Sequence, residues 1–297
     1  MRTLVIGSGF VGSALASGIT RAGGEAVLAS RSRPRGDSPL WTALDVTDPD
    51  ACARVVAGSR CDTIVLVHGP SDVTWCQRHP AQARRGHETA ARHVAQAAGG
   101  RRIVLIATDN VFDGVQQWPD EHAEPHPANA YGRAKLAAEQ VLRRHANAVV
   151  LRVSLIYGWD AADSPKWLNF FASCAHRLRA GETVTAPTDQ WTTPVMVDDV
   201  TAVTTALLAA SSPPPLLHLG GPERISRADW AAVIAESLGA PTELIVPEPR
   251  AAGRYADRPA NSCLSSTVLG THPSTRAIRV RGVREGTNLL VAKGVRT

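Results

Sequence analysis

A glycine-rich turn lies between the first apolar strand of the chain and its first helical segment. The spacing Gly-x-Gly-x-x-Gly follows directly after the strand pattern Thr3–Ile6. In this position one glycine permits a tight turn, one lets backbone amides approach a diphosphate, and one packs the helix against the strand. The turn therefore predicts a dinucleotide site at the start of the helix, with phosphates facing its positive end. The predicted cradle comprises Gly7, Gly9, Phe10, Val11 and Gly12.

Apolar strands alternate with helical segments along the first half of the chain. The strand patterns are Thr3–Ile6, Ala26–Ala29, Leu40–Asp45, Asp62–Val67, Arg102–Ala107 and Asn147–Val153, and the helical patterns include Val11–Ile19, Pro80–Ala98 and Tyr131–His145. Strands this apolar, separated by helices, are typical of a parallel sheet covered on both faces. The predicted fold class is α/β, a doubly wound parallel sheet (Rossmann), whose ligands bind beyond the carboxyl ends of the strands.

The regular alternation ends near residue 155. Helical patterns follow at Trp167–Ala180 and Asp198–Ala210, the second with Asp198 as its expected N-cap, and a third helix opens at Ser226. We expect a smaller, discontinuous C-terminal substrate-binding lobe. The predicted boundaries are 1–157 plus about 195–221 for the Rossmann domain, and about 158–194 and 222–297 for the lobe.

Composition excludes several classes of function. The 5 cysteines are odd in number and form no Cys-x-x-Cys pair, which argues against a disulfide framework and a zinc site. Because no apolar run reaches the roughly 18 residues that span a bilayer, we expect a cytoplasmic protein without a membrane partner. The net charge of +5 is modest, and aromatic residues do not interleave with the basic pairs. A small acidic ligand is therefore expected rather than a nucleic acid.

The end of the second strand distinguishes NAD from NADP. A carboxylate about 20 residues beyond the glycines would bind the ribose 2′-hydroxyl of NAD, and the segment 29–33 has none. Arg31 and Arg33 can instead pair with a 2′-phosphate, to which Ser30 can donate a hydrogen bond. This pattern favours NADPH over NADH, and the alternative is an exposed basic loop.

Two further segments are expected to line the cofactor. Asp45 and Val46 follow the third strand, where Asp45 would accept a hydrogen bond from adenine or, alternatively, cap the next helix. His68 and Gly69 end the fourth strand and could line the nicotinamide ribose. For His68 a simple packing role is the alternative.

Tyr131 and Lys135 form the strongest catalytic signal. Four residues apart on a helix, their side chains share one face. We expect the lysine ammonium and a cationic nicotinamide to lower the tyrosine pKa from its usual value near 10. Thr108, at the end of the fifth strand, is placed to donate to a substrate carbonyl. The three residues predict reduction of a ketone by NADPH with Tyr131 as proton donor. The acidic residues and histidines of segment 109–126 lack metal-ligand spacing, so no metal site is expected.

The chain resembles the extended short-chain dehydrogenase/reductases, and specifically the dTDP-4-dehydrorhamnose reductase (RmlD-like) family. The segments that carry the resemblance are Ala107–Gly114, Tyr131–Glu139, Leu151–Tyr157, Asp189–Pro194, His218–Pro222 and Arg258–Asn261. The resemblance implies a catalytic triad of Thr108, Tyr131 and Lys135. It adds Ser154 and Leu155 to the cofactor cradle. The residues it places at the substrate are Thr108, Asp109, Asn110, Tyr131 and Arg258.

The family's substrate is a nucleotide-activated 4-keto-6-deoxysugar of the dTDP type, and its members often form homodimers. This chain differs from the family pattern at three points: a glycine motif one residue shorter, Asn110 in place of an aromatic residue, and Leu155 in place of a tryptophan. These differences indicate an altered sugar site with the chemistry retained. Two alternatives remain open: the same reaction on a non-nucleotide ketone of specialised metabolism, and a non-catalytic NADP-binding regulatory subunit, like that of methionine adenosyltransferase.

Overall fold

A parallel sheet forms the centre of the molecule, which a computed structural model describes over residues 1–34, 40–160 and 168–294. The strands in these ranges are β1 (Arg2–Ile6), β2 (Glu25–Ser30), β3 (Trp41–Ala43), β4 (Thr63–Leu66), β5 (Arg102–Ile106), β6 (Ala148–Val153), β7 (Ile156–Tyr157), β8 (Val184–Pro187), β9 (Trp191–Thr192), β10 (Val195–Met196), β11 (Leu216–Leu219), β12 (Ile225–Ser226), β13 (Ile245–Glu248) and β14 (Asn261–Ser262). Seven of them pair in parallel in the order β3-β2-β1-β4-β5-β6-β11. The order reverses at β1, so a crevice forms there beyond the strand ends.

Helices cover both faces of this sheet. They are α1 (Phe10–Arg21), α2 (Pro49–Ser59), α3 (Val73–Arg78), α4 (Pro80–Arg84), α5 (Ala90–Ala98), α6 (Ala130–Leu142), α7 (Phe170–Arg179), α8 (Val197–Ala209), α9 (Arg227–Leu238) and α10 (Val283–Gly294). One face packs against α2, α5 and α6, and the other packs against α1 and α8. Since both faces are covered, the strands are apolar throughout, and the predicted doubly wound α/β fold is confirmed.

A second apolar core lies among α7, α9 and α10. Its largest members are Tyr157, Phe171 and Trp230, none of which is more than 1% exposed. Three small sheets of the described residues accompany this core: β10-β7, β12-β9-β14 and β13-β8. The domain boundaries given above stay a prediction.

Several local predictions need correction. The N-cap of α8 is Met196, without a side-chain hydrogen bond, so the expected cap Asp198 is wrong; its carboxylate pairs with Lys293. A π-helical turn, Arg85–Thr89, interrupts the long helix expected over Pro80–Ala98. Residue Trp167, the expected start of α7, lies outside the described residues.

None of the helices in the described ranges is long and apolar enough to cross a membrane. The cytoplasmic location and the homodimer stay predictions.

Candidate active site

The glycine turn after β1 is closed to any larger residue. Gly7 has φ +117°, and a Cβ there would lie 2.7 Å from the Val67 carbonyl oxygen. A Cβ on Gly12 would lie 1.8 Å from the Gly7 carbonyl oxygen. The N-cap of α1 is Gly9, which offers no side-chain acceptor, so the first amides of α1 have no side-chain cap. These amides and the tight turn fit the diphosphate of a dinucleotide.

The end of β2 presents the residues expected at a 2′-phosphate. Arg31 and Arg33 are exposed there. The Ser30 hydroxyl accepts from the Ser8 hydroxyl (2.7 Å) and donates its one hydrogen to the Ser32 carbonyl (2.7 Å). In this arrangement the arginines are the donors that an anion would meet first.

Asp45 follows β3 and is fixed by its own turn. Its carboxylate accepts from the amide (2.9 Å) and hydroxyl (2.8 Å) of Thr47, bonds that hold the Asp45 pKa below its usual value. Asp48 caps α2, accepting from two amides of the first turn, so the capping alternative for Asp45 is wrong. Val46 lies beside it, half-buried.

Thr108, Tyr131 and Lys135 lie together at the carboxyl end of β5. Thr108 is buried and caps the short 3-10 turn that follows this strand. Tyr131 occupies the first turn of α6, which begins where the Asn129 side chain accepts from the Gly132 amide at 2.8 Å. Lys135 lies one turn further, and its Nζ donates to the carbonyl of Ile106, the last residue of β5, at 2.6 Å. The helix thus carries two of the predicted catalytic residues to the strand end that carries the third.

Burial dominates the charges of these groups. Burial lowers the Lys135 pKa to about 8, although the nearby Glu139 carboxylate acts in the opposite direction and raises it. It raises the pKa of Tyr131 above its usual value, and the Asp109 carboxylate adds to the rise while a hydrogen bond with Thr108 opposes it. The expected lowering of the Tyr131 pKa is therefore wrong for the protein alone, because burial and a neighbouring anion both disfavour the phenolate.

Asp109 and Asn110 belong to a hydrogen-bonded network around Thr108. The Thr108 hydroxyl donates to Asp109 Oδ1 (3.0 Å), and Asn110 Nδ2 donates to the same oxygen (2.8 Å). Asn110 Oδ1 in turn accepts from Asn129 Nδ2 (3.0 Å), which connects this turn to the cap of α6. Burial raises the pKa of Asp109 to about 6 despite these hydrogen bonds.

Ser154 and Leu155, expected in the cofactor cradle, lie where β6 meets the second core. The buried Ser154 hydroxyl contacts Asp109 Oδ2 (3.3 Å), the Ser262 carbonyl (3.0 Å) and the Thr192 hydroxyl (3.1 Å). Leu155 packs against the apolar cluster of α7, α9 and α10. Their assignment to the cofactor stays a prediction.

A buried histidine beside Tyr131 has no signal in the sequence. His87 lies on the π-helical turn, with its ring centroid 5.6 Å from that of Tyr131 and its Nε2 donating to the Pro70 carbonyl (2.9 Å). The ring fills the space beside Gly69. His68 lies 6.1 Å from His87, and burial lowers its pKa to about 3. A helical periodicity could not predict His87, because the π turn shifts the phase of the buried face.

Arg258 is one of three arginines whose guanidinium groups lie close together in the structure, although nothing in the sequence predicted that they would meet. Arg227, Arg254 and Arg258 approach the ring of Tyr255, with Cζ to centroid distances of 4.7, 5.0 and 5.3 Å. Arg227 is buried and forms no ion pair among the described residues. Burial lowers its pKa to about 10, while Tyr255 and Asp109 favour its charged form.

A family model described as RmlD substrate binding domain matches residues 1–291. Among named relatives, a probable low-salt glycan biosynthesis reductase of Haloferax volcanii is 31% identical over 276 residues, 89% of each chain. A dTDP-4-dehydrorhamnose reductase of Mycobacterium tuberculosis is 31% identical over 264 residues, 84% of each chain. The methionine adenosyltransferase 2 subunit beta of Danio rerio is 27% identical over 278 residues, 90% of this chain and 84% of that one.

A solved structure shows the same fold over its whole length. The crystal structure of dTDP-4-dehydrorhamnose reductase from Bacillus anthracis in complex with NADP matches with a TM-score of 0.84 at 21% identity, covering 98% of this chain and 99% of that chain.

Proposed function

The chain belongs to the RmlD substrate binding domain family, an oxidoreductase family, and from that premise we propose that it reduces the keto group of a nucleotide-activated sugar with NADPH. The observation that carries the proposal is the meeting of Thr108, Tyr131 and Lys135 at the carboxyl end of β5. A hydrogen-bond donor, a protonated phenol and an amine are the groups that a carbonyl reduction needs.

The charges of the site suit reduction. NADPH, when bound, supplies the hydride. The raised pKa of Tyr131 keeps its proton in place at neutral pH, so the phenol is ready to protonate the substrate oxygen. The Thr108 hydroxyl can donate to the same oxygen as charge develops on it. Lys135 is anchored beside them by the Ile106 carbonyl, where it can donate to the cofactor ribose.

The preference for NADPH over NADH rests on two features. The glycine turn and the first amides of α1 suit the diphosphate that the two cofactors share. Only NADPH carries a 2′-phosphate, which Arg31 and Arg33 can bind at the end of β2. The NADP complex of the Bacillus anthracis protein supports a cofactor of this type for the fold.

The substrate is proposed to be a dTDP-type 4-keto-6-deoxysugar. Arg227 holds a positive charge inside the protein, and Arg254 and Arg258 add to it around Tyr255. A diphosphate is the kind of anion that such a group of guanidinium side chains attracts. Asp109 lies within the electrostatic reach of Arg227, so an anion bound there would place the attached sugar towards Thr108.

Oxidation of NADPH at 340 nm with dTDP-4-keto-6-deoxyhexoses tests the proposal. We expect turnover by the wild type and a loss of about 10²–10⁴-fold in kcat for Tyr131→Phe, since the phenol proton is then missing. Tyr157→Phe is the matched control, because its buried hydroxyl belongs to the second core, and it should keep wild-type activity.

The outcome also separates the alternatives. Turnover with simple ketones but not with nucleotide sugars would move the assignment to a non-nucleotide substrate. Tight NADPH binding without turnover of any ketone would overturn the enzymatic proposal and favour the regulatory role suggested by the likeness to methionine adenosyltransferase 2 subunit beta.

A further inference from the structure

A chain of hydrogen-bonding groups leads from the Tyr131 phenol into the buried junction between the two cores. Thr108 lies near enough to the phenol for its hydroxyl to lower the Tyr131 pKa, and the same hydroxyl lies 3.0 Å from Asp109 Oδ1. The other carboxyl oxygen, Asp109 Oδ2, lies 3.3 Å from the Ser154 hydroxyl. Thr108, Asp109 and Ser154 are all buried, with exposures of 5%, 6% and 3%. The phenol is thus linked to a carboxyl group that keeps only 6% of its residue surface exposed, through which solvent can exchange a proton with it.

The surroundings of Asp109 accommodate a carboxylic acid as well as a carboxylate. The Ser154 hydroxyl has one hydrogen, and its shortest contact, 3.0 Å, is with the Ser262 carbonyl, which can only accept. When Ser154 donates to that carbonyl, its oxygen is left facing Asp109 Oδ2 as an acceptor. A proton on Asp109 Oδ2 can then be donated to the Ser154 oxygen, and a proton on Oδ1 can be donated to the Thr108 oxygen.

The charged and titratable groups around Asp109 are few. Arg227 favours the carboxylate, whereas Tyr131 and Cys263 lie near enough for an ionised Asp109 to raise the pKa of each. Burial outweighs Arg227 and brings the pKa of Asp109 to about 6. The group therefore holds a proton for part of the time near neutral pH, when an ordinary aspartate would not.

We propose that Asp109 is the proton reservoir of this site, which returns a proton to Tyr131 through the Thr108 hydroxyl after each turnover. This proposal rests on the reductase function proposed above. Tyr131 is the direct proton donor, and Asp109 acts through Thr108.

The proton transfers balance in three steps. The phenol O–H bond of Tyr131 breaks as its proton passes to the substrate alkoxide, which leaves a phenolate. The phenolate takes the Thr108 hydroxyl proton while the Thr108 oxygen takes the carboxyl proton of Asp109, so the hydroxyl is restored and a carboxylate remains. The carboxylate regains a proton from solvent when product leaves. One proton has moved from water to the product, and no electrons move along this path.

The direction of transfer follows from the acidities. The Asp109 carboxyl, with a pKa of about 6, is a much stronger acid than the Tyr131 phenol, whose pKa lies above its ordinary value. Once Asp109 is ionised, its charge raises the phenol pKa further and keeps the proton on Tyr131 for the next turnover.

The substitution Asp109→Asn tests the reservoir in stopped-flow measurements of NADPH oxidation. We expect the first turnover at close to the wild-type rate, because Tyr131 starts with its proton, followed by steady-state turnover at least ~10-fold slower. In the wild type kcat should fall as the pH rises through about 6, and the variant should lack this dependence. A first turnover slowed as much as the steady state, or an unchanged steady state, would overturn the proposal. Asp50→Asn, which removes an exposed carboxylate from α2, is the control.

A second measurement needs no substrate and so remains informative if no ketosugar is reduced. Infrared difference spectra of the protein alone, wild type minus Asp109→Asn, should show a protonated carboxyl band that titrates near pH 6. Thr108→Val should move this midpoint upwards, because the Thr108 hydrogen bond favours the carboxylate. Absence of a carboxyl titrating above pH 5 would reject Asp109 as a reservoir whatever the substrate. Its presence without ketosugar turnover would leave only the substrate assignment in error.

Discussion

The Asp109 carboxyl group is held where its negative charge is unfavourable. It is buried, its charge raises the pKa of the Tyr131 phenol, and its hydrogen bonds only partly offset the loss of hydration. A residue with these properties costs stability when it is ionised, and its position next to Thr108 fits a functional role. The same side chain should therefore affect stability and turnover in opposite directions.

Replacement of Asp109 by asparagine should stabilise the protein at alkaline pH. The pKa rises from 3.8 to about 6 on folding, so the wild type loses stability as the pH rises through this range, by roughly 3 kcal/mol at most. At pH 4 the folded carboxyl is protonated and the unfolded one is only partly ionised, so the difference should be small, and it should vanish below about pH 3. Asparagine can still accept from Thr108 and donate to Ser154, so little is lost.

Urea denaturation of the two proteins at pH 4 and pH 8 measures this effect. Asp50→Asn removes the same charge from the surface, in the first turn of α2, and should destabilise the protein by no more than ~1 kcal/mol at pH 8, the opposite sign to Asp109→Asn. An Asp109→Asn variant less stable than the wild type at pH 8 would show that the hydrogen bonds of the carboxylate outweigh its burial.

At the scale of elements, α6 is fixed to the sheet by a buried ion pair. Glu139, one turn beyond Lys135, accepts from Arg152 of β6 at 2.7 Å, and neither side chain is more than 1% exposed. Arg152 Nη1 also lies 3.3 Å from His218 Nε2. Since His218 Nδ1 faces two carbonyl oxygens, it carries the hydrogen, and Nε2 is the acceptor for Arg152.

Breaking this pair should destabilise the protein strongly. Glu139→Ala leaves a buried guanidinium without its anion and is expected to cost about 3–5 kcal/mol in the free energy of unfolding. The double variant Glu139→Leu with Arg152→Met should recover most of this loss, because apolar side chains of similar size remove both charges. Chemical denaturation of the three proteins provides the comparison.

An exposed pair serves as the control. Glu285→Ala, which removes the partner of exposed Arg279, should cost less than ~1 kcal/mol. Equal losses for the single and double Glu139 variants would mean that packing around α6, rather than charge, determines its stability.

The elements themselves were largely predictable from the sequence, since strands such as β1 and β4 are short apolar runs between turn residues. The α6 helix was also predictable, and its true start at Ala130 differs from the expected one by a single residue. The π turn was not predictable, because one extra residue in a helical turn leaves no compositional trace. The predicted N-cap of α8 was also wrong. Asp198 is a residue type that commonly caps helices, but the helix begins earlier and its N-cap is Met196.

Over the whole molecule, contacts between distant segments complete the site. The sequence predicted that Tyr131 and Lys135 share one face of a helix and that Thr108 ends the fifth strand, at the sheet edge where ligands of this fold bind. The contacts of Arg227 with Tyr255 and of Ser154 with Ser262 could not be predicted from the sequence. These residues meet only when the second core packs against the sheet. The expected lowering of the Tyr131 pKa was wrong for the protein alone for the same reason. Burial of the phenol and the nearby Asp109 charge both raise this pKa, and both are properties of the folded chain.

Cofactor preference is a property of the whole molecule that thermal denaturation can measure. At a concentration of 100 times Kd, NADPH should stabilise the folded protein by about 2.7 kcal/mol, which for a chain of this size is a rise of roughly 4 °C in Tm. NADH at the same concentration should give a smaller rise, because it lacks the 2′-phosphate that Arg31 and Arg33 are placed to bind.

The double substitution Arg31→Ser with Arg33→Ser assigns that difference to the end of β2. It should weaken NADPH binding by roughly 10–100-fold, since hydrogen bonds to charged groups contribute about 1.5–3 kcal/mol, while the response to NADH stays the same. The control Arg143→Ser with Arg144→Ser removes two exposed arginines just beyond α6 and should leave both responses unchanged. If the rise in Tm of the β2 variant fell equally for both cofactors, the two arginines would support the fold of the turn rather than bind the 2′-phosphate. If the wild type responded equally to NADPH and NADH, the two arginines would be the basic surface loop that the sequence also allowed.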